Sequence, residues 1–373
     1  MSTLIFDTER NILQINAWLL QYFLHFVSSR NPHQTRFELR CFCNLEIQQV
    51  EIIAHLIFSL YYDILLEMRL VQNTGRSKVK KNMGNKNNIY DLKPDPFFKG
   101  NVFTHFIYSD HKDLSGLNVN FEFGKWRYSD FSDYLFAWLP EFALRYSDLE
   151  VINHSNAFAF LKKAAKAVYQ TDKYKNRGEF GELILHALIR EIFNSQPVIS
   201  KLFYKSGVND TVKGFDAVHI VEHENNLELW LGEVKFYDNI KRAVTDVIKE
   251  LYDHTQRDYL RGEFMLITGK IDNKWQYADE IKKLLHPHTN LEDVFSRLCI
   301  PVLLTYESDT VKNYQNHKEK FIELLREEIK KNHEDFEDKV KHLPLNIHLF
   351  LLPLENKATL VQCLDEKLKG LQI

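Results

Sequence analysis

Proline and glycine are scarce, 9 and 13 in 373 residues, roughly half their usual shares. That excludes collagen-like and low-complexity chains. Cysteine is scarcer still: Cys41, Cys43, Cys299 and Cys363 are the whole set. None forms a C-x-x-C pair, and no histidine cluster stands at zinc-finger spacing from them. They support neither a disulfide scaffold nor a structural zinc, and read instead as small buried side chains. An excess of one charge is missing too, with 48 Lys+Arg against 51 Asp+Glu and a net charge of −3. A blanket attraction for nucleic acid or membrane is thereby excluded, so any such partner must be held by a local patch. The most apolar stretch, 51–68, carries His55 and Asp63 and reads as a core helix rather than a membrane span. Asp7 and Glu9 precede the first apolar run with no cationic segment before them, which does not fit a secretory signal. A cytoplasmic, reducing compartment is expected, with no membrane partner.

The common phosphate and hydrolase motifs are also absent. There is no G-x-x-x-x-G-K-[ST], G-x-G-x-x-G, H-E-x-x-H or G-x-S-x-G. P-loop, dinucleotide, zincin and α/β-hydrolase readings lose their main support.

The bulk of the chain is ordinary globular material, 45% hydrophobic and 27% charged. Residues 12–26 and 52–66 have helical spacing. Residues 73–88 then supply Arg76, Lys78, Lys80, Lys81 and Lys86 with no acid. Pro94 and Pro96 stiffen the chain just beyond this basic stretch. The expectation is a mainly helical extension over 1–95, ending in a basic linker at about 73–96, and a second unit over 97–373. In that unit, strands are expected at 102–108, 117–123, 214–222, 227–237, 264–270, 297–306 and 347–354. Helices are expected at 131–145, 156–170, 179–193, 240–257, 321–340 and 358–368. This order argues for an α/β fold with a central mixed sheet flanked by helices.

One strand is locally inconsistent. Leu229-Trp230-Leu231-Gly232-Glu233-Val234-Lys235-Phe236 is apolar until it presents an acid and a lysine. Side chains alternate across a strand, so Glu233 and Lys235 share a face with Leu229 and Leu231. Charges are buried only when paired or bound to metal, and a local conflict of this kind commonly marks a site. The acid-x-Lys pattern alone says little, since the chain has nine. Most of the others, Glu355-Asn356-Lys357 among them, read as solvated loops or charged helix faces. Asp216, seventeen residues before Glu233, starts the preceding strand. A hairpin turn at His223-Glu224-Asn225-Asn226 would bring the two carboxylates together. They repel unless a cation lies between them, and hard oxygen donors favour Mg²⁺ or Mn²⁺. Gly232 is expected to allow backbone or substrate to approach closely. The competing account of Glu233 and Lys235 is a structural ion pair on an edge strand.

Gly181-Glu182 on the first core helix, Asp216 after Gly214-Phe215, and Glu233-Val234-Lys235 together resemble the PD-(D/E)xK nuclease superfamily. Phe215-Asp216 departs from the usual Pro-Asp. Wider segments resemble the DUF1837 family: Phe106-Ile107-Tyr108-Ser109, Tyr134-Leu135-Phe136-Ala137-Trp138-Leu139-Pro140, Arg177-Gly178-Glu179-Phe180-Gly181-Glu182 and Leu231–Tyr237. That family includes the nuclease subunit of the Hachiman anti-phage system (HamA) and AbpA-type phage-defence proteins. The resemblance spans residues 97–373 and implies a restriction-endonuclease-like core at about 156–310. It implies a metal-dependent DNA nuclease working with a helicase partner of the HamB/AbpB kind. Asp216, Glu233, the Val234 carbonyl and Glu182 would bind Mg²⁺ (or Mn²⁺). Lys235 would support phosphodiester hydrolysis, and Lys241 and Arg242 would contact the DNA backbone. His186 reads as a packed or exposed helix histidine rather than a ligand, and Trp138 and Trp230 as core side chains. Two alternatives stay open: a non-catalytic adaptor binding DNA or the helicase, and a nuclease acting on RNA. Near-neutral overall charge hides a basic stretch, for 161–213 carries ten Lys/Arg against five Asp/Glu.

Overall fold

The protein is described by a computed structural model over residues 102–168, 178–200, 214–223 and 226–373. The expected N-terminal extension and basic linker lie outside the described residues, as does much of the basic stretch 161–213.

The strands are β1 (Phe103–Ile107), β2 (Leu114–Val119), β3 (Phe121–Glu122), β4 (Lys125–Trp126), β5 (Gln196–Pro197), β6 (Ala217–His223), β7 (Asn226–Phe236), β8 (Leu298–Glu307) and β9 (Ile347–Leu354). The main helices are α1 (Tyr128–Ala137), α2 (Leu139–Ala143), α3 (Ala157–Ala167), α4 (Gly178–Phe193), α5 (Ile240–His254), α6 (Arg257–Lys270), α7 (Phe321–Val340) and α8 (Lys357–Gln372). Seven strands form one sheet in the order β1-β2-β9-β8-β7-β6-β5. The middle four, β2, β9, β8 and β7, run parallel. Antiparallel neighbours close both sides.

The mixed sheet follows from the apolar pattern. In β8 every residue but the last is buried, as a parallel strand covered on both faces requires. One face packs under α1, α2, α3, α4 and α8, with Trp138, Ile184 and Leu188 in its core. The other packs under α5, α6 and α7, with Leu229, Val247 and Ile329 in its core. Trp138 and Trp230 are both buried, as expected.

Two expectations change. Residues 264–270 are not a strand but the second half of α6. The apolar run Phe264-Met265-Leu266-Ile267 fits either period locally, and a short run of this kind cannot be assigned by periodicity alone. Burial resolves it: Leu260, Phe264 and Ile267 form a helical stripe against the core, while Met265 and Leu266 face outward. The single helix expected over 131–145 is two, divided at Trp138. Pro140 sits in the first turn of α2, where its missing N–H costs nothing, but it could not continue α1.

Candidate functional site

A cleft of about 590 Å³ opens at the end of β7. It exists because β6 and β7 have unequal reach. Their pairing stops at Ala217 opposite Gly232, yet β7 continues against β8 through Phe236. Among the described residues, the side of Glu233–Phe236 that faces away from β8 is therefore left without a strand neighbour. The β7–β8 ladder also skips Leu231 and Gly232, opposite Ile300 and Pro301. Proline has no N–H to give a ladder there. Among the described residues, the cleft is lined by Glu182, Asp216, Glu233, Val234 and Lys235, with Arg242, Glu250, His254 and Lys357.

The hairpin register places Asp216 one residue beyond the Ala217–Gly232 pair, beside Glu233. Its backbone N–H donates to the Gly232 carbonyl at 2.7 Å, and its carboxylate accepts from the Val234 N–H at 2.9 Å. Asp216 is thus anchored by the strand it faces. Glu233 is 1% exposed and Lys235 6%, and β7 lies inside the sheet rather than at its edge. Neither residue pairs with the other in an ion pair. Lys235 pairs with Glu250, and Glu233 with the His254 imidazole. Glu250 and His254 stand one turn apart on α5, whose stripe Ala243, Val244, Val247 and Leu251 packs on the same sheet face. This i, i+4 pair was the signal available in the sequence. It was concealed because α5 reads as an ordinary amphipathic helix.

The electrostatics are strained. Burial, helped by the charges of Asp216 and Glu250, pushes the Glu233 carboxyl up to about 7 against the pull of His254. His254 moves upward as well: burial opposes this, but the hydrogen bond and negative charge of Glu233 prevail. Its ring stacks on Tyr259 with centroids 4.4 Å apart.

Glu182 comes from α4, which packs so closely on β7 that a Cβ on Gly181 would stand 2.7 Å from Val234 Cγ1. This approach brings the start of α4 to the cleft. Gly232 does not admit substrate. Its missing side chain is filled by Leu185 Cδ2 at 2.7 Å and Ala217 Cβ at 2.9 Å from where a Cβ would lie, so it is a helix-packing glycine. Arg242 reaches the cleft, stacked 4.9 Å over the Tyr237 ring, whereas the neighbouring exposed Lys241 is not among the lining residues. Lys357, at the start of α8, lies 5.1 Å over Phe236 and has its pKa lowered by burial. Its Glu355-x-Lys357 context resembles a polar loop in one dimension, so the sequence alone does not mark it.

Of the two readings open for His186, packed or exposed, the structure shows the packed one, in a polar setting. It lies 3.1 Å from Glu141 and 3.2 Å from His219. Arg190, 0% exposed, binds Glu141 at 2.6 and 3.2 Å. Burial alone would raise Glu141, yet Arg190 and His186 hold its carboxyl below the ordinary range. The network links α2 to α4 under the sheet.

Among the described residues, no helix is long and apolar enough to cross a membrane. The model of the HamA family matches residues 95–368, most of the chain and all of the sheet. No curated protein matches the sequence.

Proposed function

Because the chain belongs to the HamA family, which supports a role in anti-phage defence, we propose that the β7 cleft is a divalent-cation-dependent nuclease site. It cuts DNA phosphodiesters on a PD-(D/E)xK-type core and acts with a helicase partner. The observation that carries this reading is the convergence of Asp216, Glu233, Glu182 and Lys235 on one cleft.

The donor set fits Mg²⁺ or Mn²⁺. It is oxygen-only and anionic, as hard cations prefer. Glu233, held near 7 by burial and neighbouring carboxylates, is the group a cation would relieve. Asp216, Glu233 and the Val234 carbonyl would hold the ion, with Glu182 directly or through water. A divalent ion held by these residues would supply Lewis-acid polarisation of the scissile phosphate and would lower the pKa of a water so that it can serve as a hydroxide nucleophile.

The protein's own groups do the rest. Lys235 presents its ammonium to the phosphate or the attacking water, kept in place by Glu250, and stabilises the charge that develops on the phosphorane oxygens. Arg242 and Lys357 rim the cleft with fixed positive charge, which positions a phosphate backbone without reading bases. His254, paired with Glu233, holds that carboxylate's orientation. Near-neutral net charge leaves the chain with little indiscriminate affinity for DNA, so a partner that delivers DNA suits it.

The test is plasmid cleavage by the purified chain, alone and with its helicase, in Mg²⁺ and in chelator. Lys235→Ala and Asp216→Ala are expected to lose at least about 100-fold in rate, the scale of a removed electrostatic stabiliser. Cleavage that survives both changes, or chelation, rejects the assignment. Cleavage of RNA but not DNA would reassign the substrate.

A further inference from the structure

A second cluster lies three strands across the sheet from Glu233. His111 and Asp113 sit in the turn between β1 and β2, and His333 and Glu337 sit one turn apart on α7. One donor atom from each residue lies within 4.8 Å of those of the other three. Backbone hydrogen bonds fix the turn: Leu114 N–H to His111 O at 3.1 Å and Leu349 N–H to Asp113 O at 2.7 Å.

His333 is the informative member. It occupies the core stripe of α7 between Ile329 and Phe336 and is 0% exposed. Its Nε2 lies 3.2 Å from Asp113 Oδ2. A carboxylate oxygen only accepts, so Nε2 carries the hydrogen, and Nδ1 is the ring atom left to ligate a cation. That Nδ1 is buried without a hydrogen bond and faces Glu337 Oε2 at 3.7 Å. The same Glu337 oxygen stands 4.0 Å from His111 Nδ1, and the two imidazoles meet edge-on with centroids 4.7 Å apart. At 3.7 Å that contact is too long for a hydrogen bond, and an orphaned buried polar atom of this kind calls for a missing partner. A cation among these three donors supplies that partner, in place of the proton that would otherwise pair Nδ1 with Glu337.

We propose that His111, His333 and Glu337 bind Zn²⁺, with Asp113 orienting His333 through its Nε2–H. Two imidazoles with one carboxylate favour zinc over Mg²⁺, and a carboxylate behind a ligating histidine is the usual outer partner. Ligand atoms around tetrahedral zinc stand about 3.3 Å apart, so contacts of 3.7 and 4.0 Å need only small side-chain rotations. Glu337 and Asp113 are roughly half exposed, which leaves an entry path and room for a water as fourth ligand. The site would tie the β1–β2 turn to α7 across 220 residues of sequence. It uses no cysteine, so cysteine spacing could not reveal it.

The full-length chain is to be purified, gel-filtered and assayed for zinc by elemental analysis, with thermal unfolding in added Zn²⁺ and in chelator. About one zinc per chain is expected, with a higher melting temperature in Zn²⁺. His111→Ala and Glu337→Gln should abolish both effects, and Asp113→Asn should weaken zinc binding by about 10–100-fold. Glu233→Gln, at the cleft, should keep its zinc. Co²⁺ in the wild-type chain should give the intense visible bands of a four-coordinate site with nitrogen ligands, a readout that survives any misfolding of a variant. Zinc content unchanged in His111→Ala or Glu337→Gln, zinc lost from Glu233→Gln instead, or a weak six-coordinate Co²⁺ spectrum would each overturn the proposal.

Discussion

Replacing Glu233 by glutamine should make the protein more stable and inactive together. Glu233 sits at about 7, against 4.5 for an ordinary glutamate, mainly because it is buried. For a group whose folded pKa is raised, stability is fully present below the unfolded value and is lost as pH rises through the folded one. Wild type therefore bears no ionisation cost below about 4.5, a growing cost up to about 7 and the full cost above it. At about 1.4 kcal/mol per pH unit, the full cost is about 3 kcal/mol. Glutamine keeps the shape and removes the charge, but it weakens the pairing with His254, which returns about 1 kcal/mol. The net expectation at pH 8 in chelator is a gain of about 2 kcal/mol, or roughly 4 °C in melting temperature for a body of this size. At pH 5 the gain should all but vanish, because the wild-type carboxyl is then protonated in the fold. Thermal or urea unfolding followed by circular dichroism at both pH values measures this. Equal gains at pH 5 and pH 8, or a loss at pH 8, would refute the burial argument. Adding Mg²⁺ at pH 8 should shrink the gap, since only wild type offers the full carboxylate set.

The packing sets the other outcomes. Arg190→Ala should cost about 3–5 kcal/mol, the penalty for leaving a buried partner charge uncompensated. Of its two charged partners among the described residues, Glu141 would keep His186, and chemical denaturation reads the loss. A paired Arg190→Met and Glu141→Leu change should recover most of it; no recovery would show that the charges themselves are needed. Gly181→Ala should destabilise by about 1–3 kcal/mol through overpacking. Its Cβ would meet Val234 and Phe236 within 2.8 Å. Because those residues adjoin Glu233 and Lys235, cleavage should fall as well, and a variant with unchanged melting temperature would argue against the close approach.

Sequence and structure divide the credit by range. Periodicity places α7 and β9 with the bounds the structure shows, since a stripe such as Phe321, Leu325 and Ile329 is a local property of the chain. Apolar context singles out Glu233 and Lys235 among nine acid-x-Lys matches, and the turn between β6 and β7 locates Asp216 near them. Those are statements about neighbours in one hairpin. Residues 264–270 escape because four consecutive apolar residues satisfy either period until a core chooses a face. Gly232 suggests room for substrate until Leu185, from a helix distant in sequence, fills its place.

What the sequence by itself determined is the alternation of elements and the one strand whose charges conflict with its burial, because propensity and periodicity act within a few residues. Only the tertiary structure decided the partners. It set Glu250 against Lys235, His254 against Glu233, Lys357 at the rim, and His333 between carboxylates, one of them from a turn 220 residues away. These contacts depend on which helix lies over which strand, and that is settled by the burial of whole faces rather than by any local run of residues.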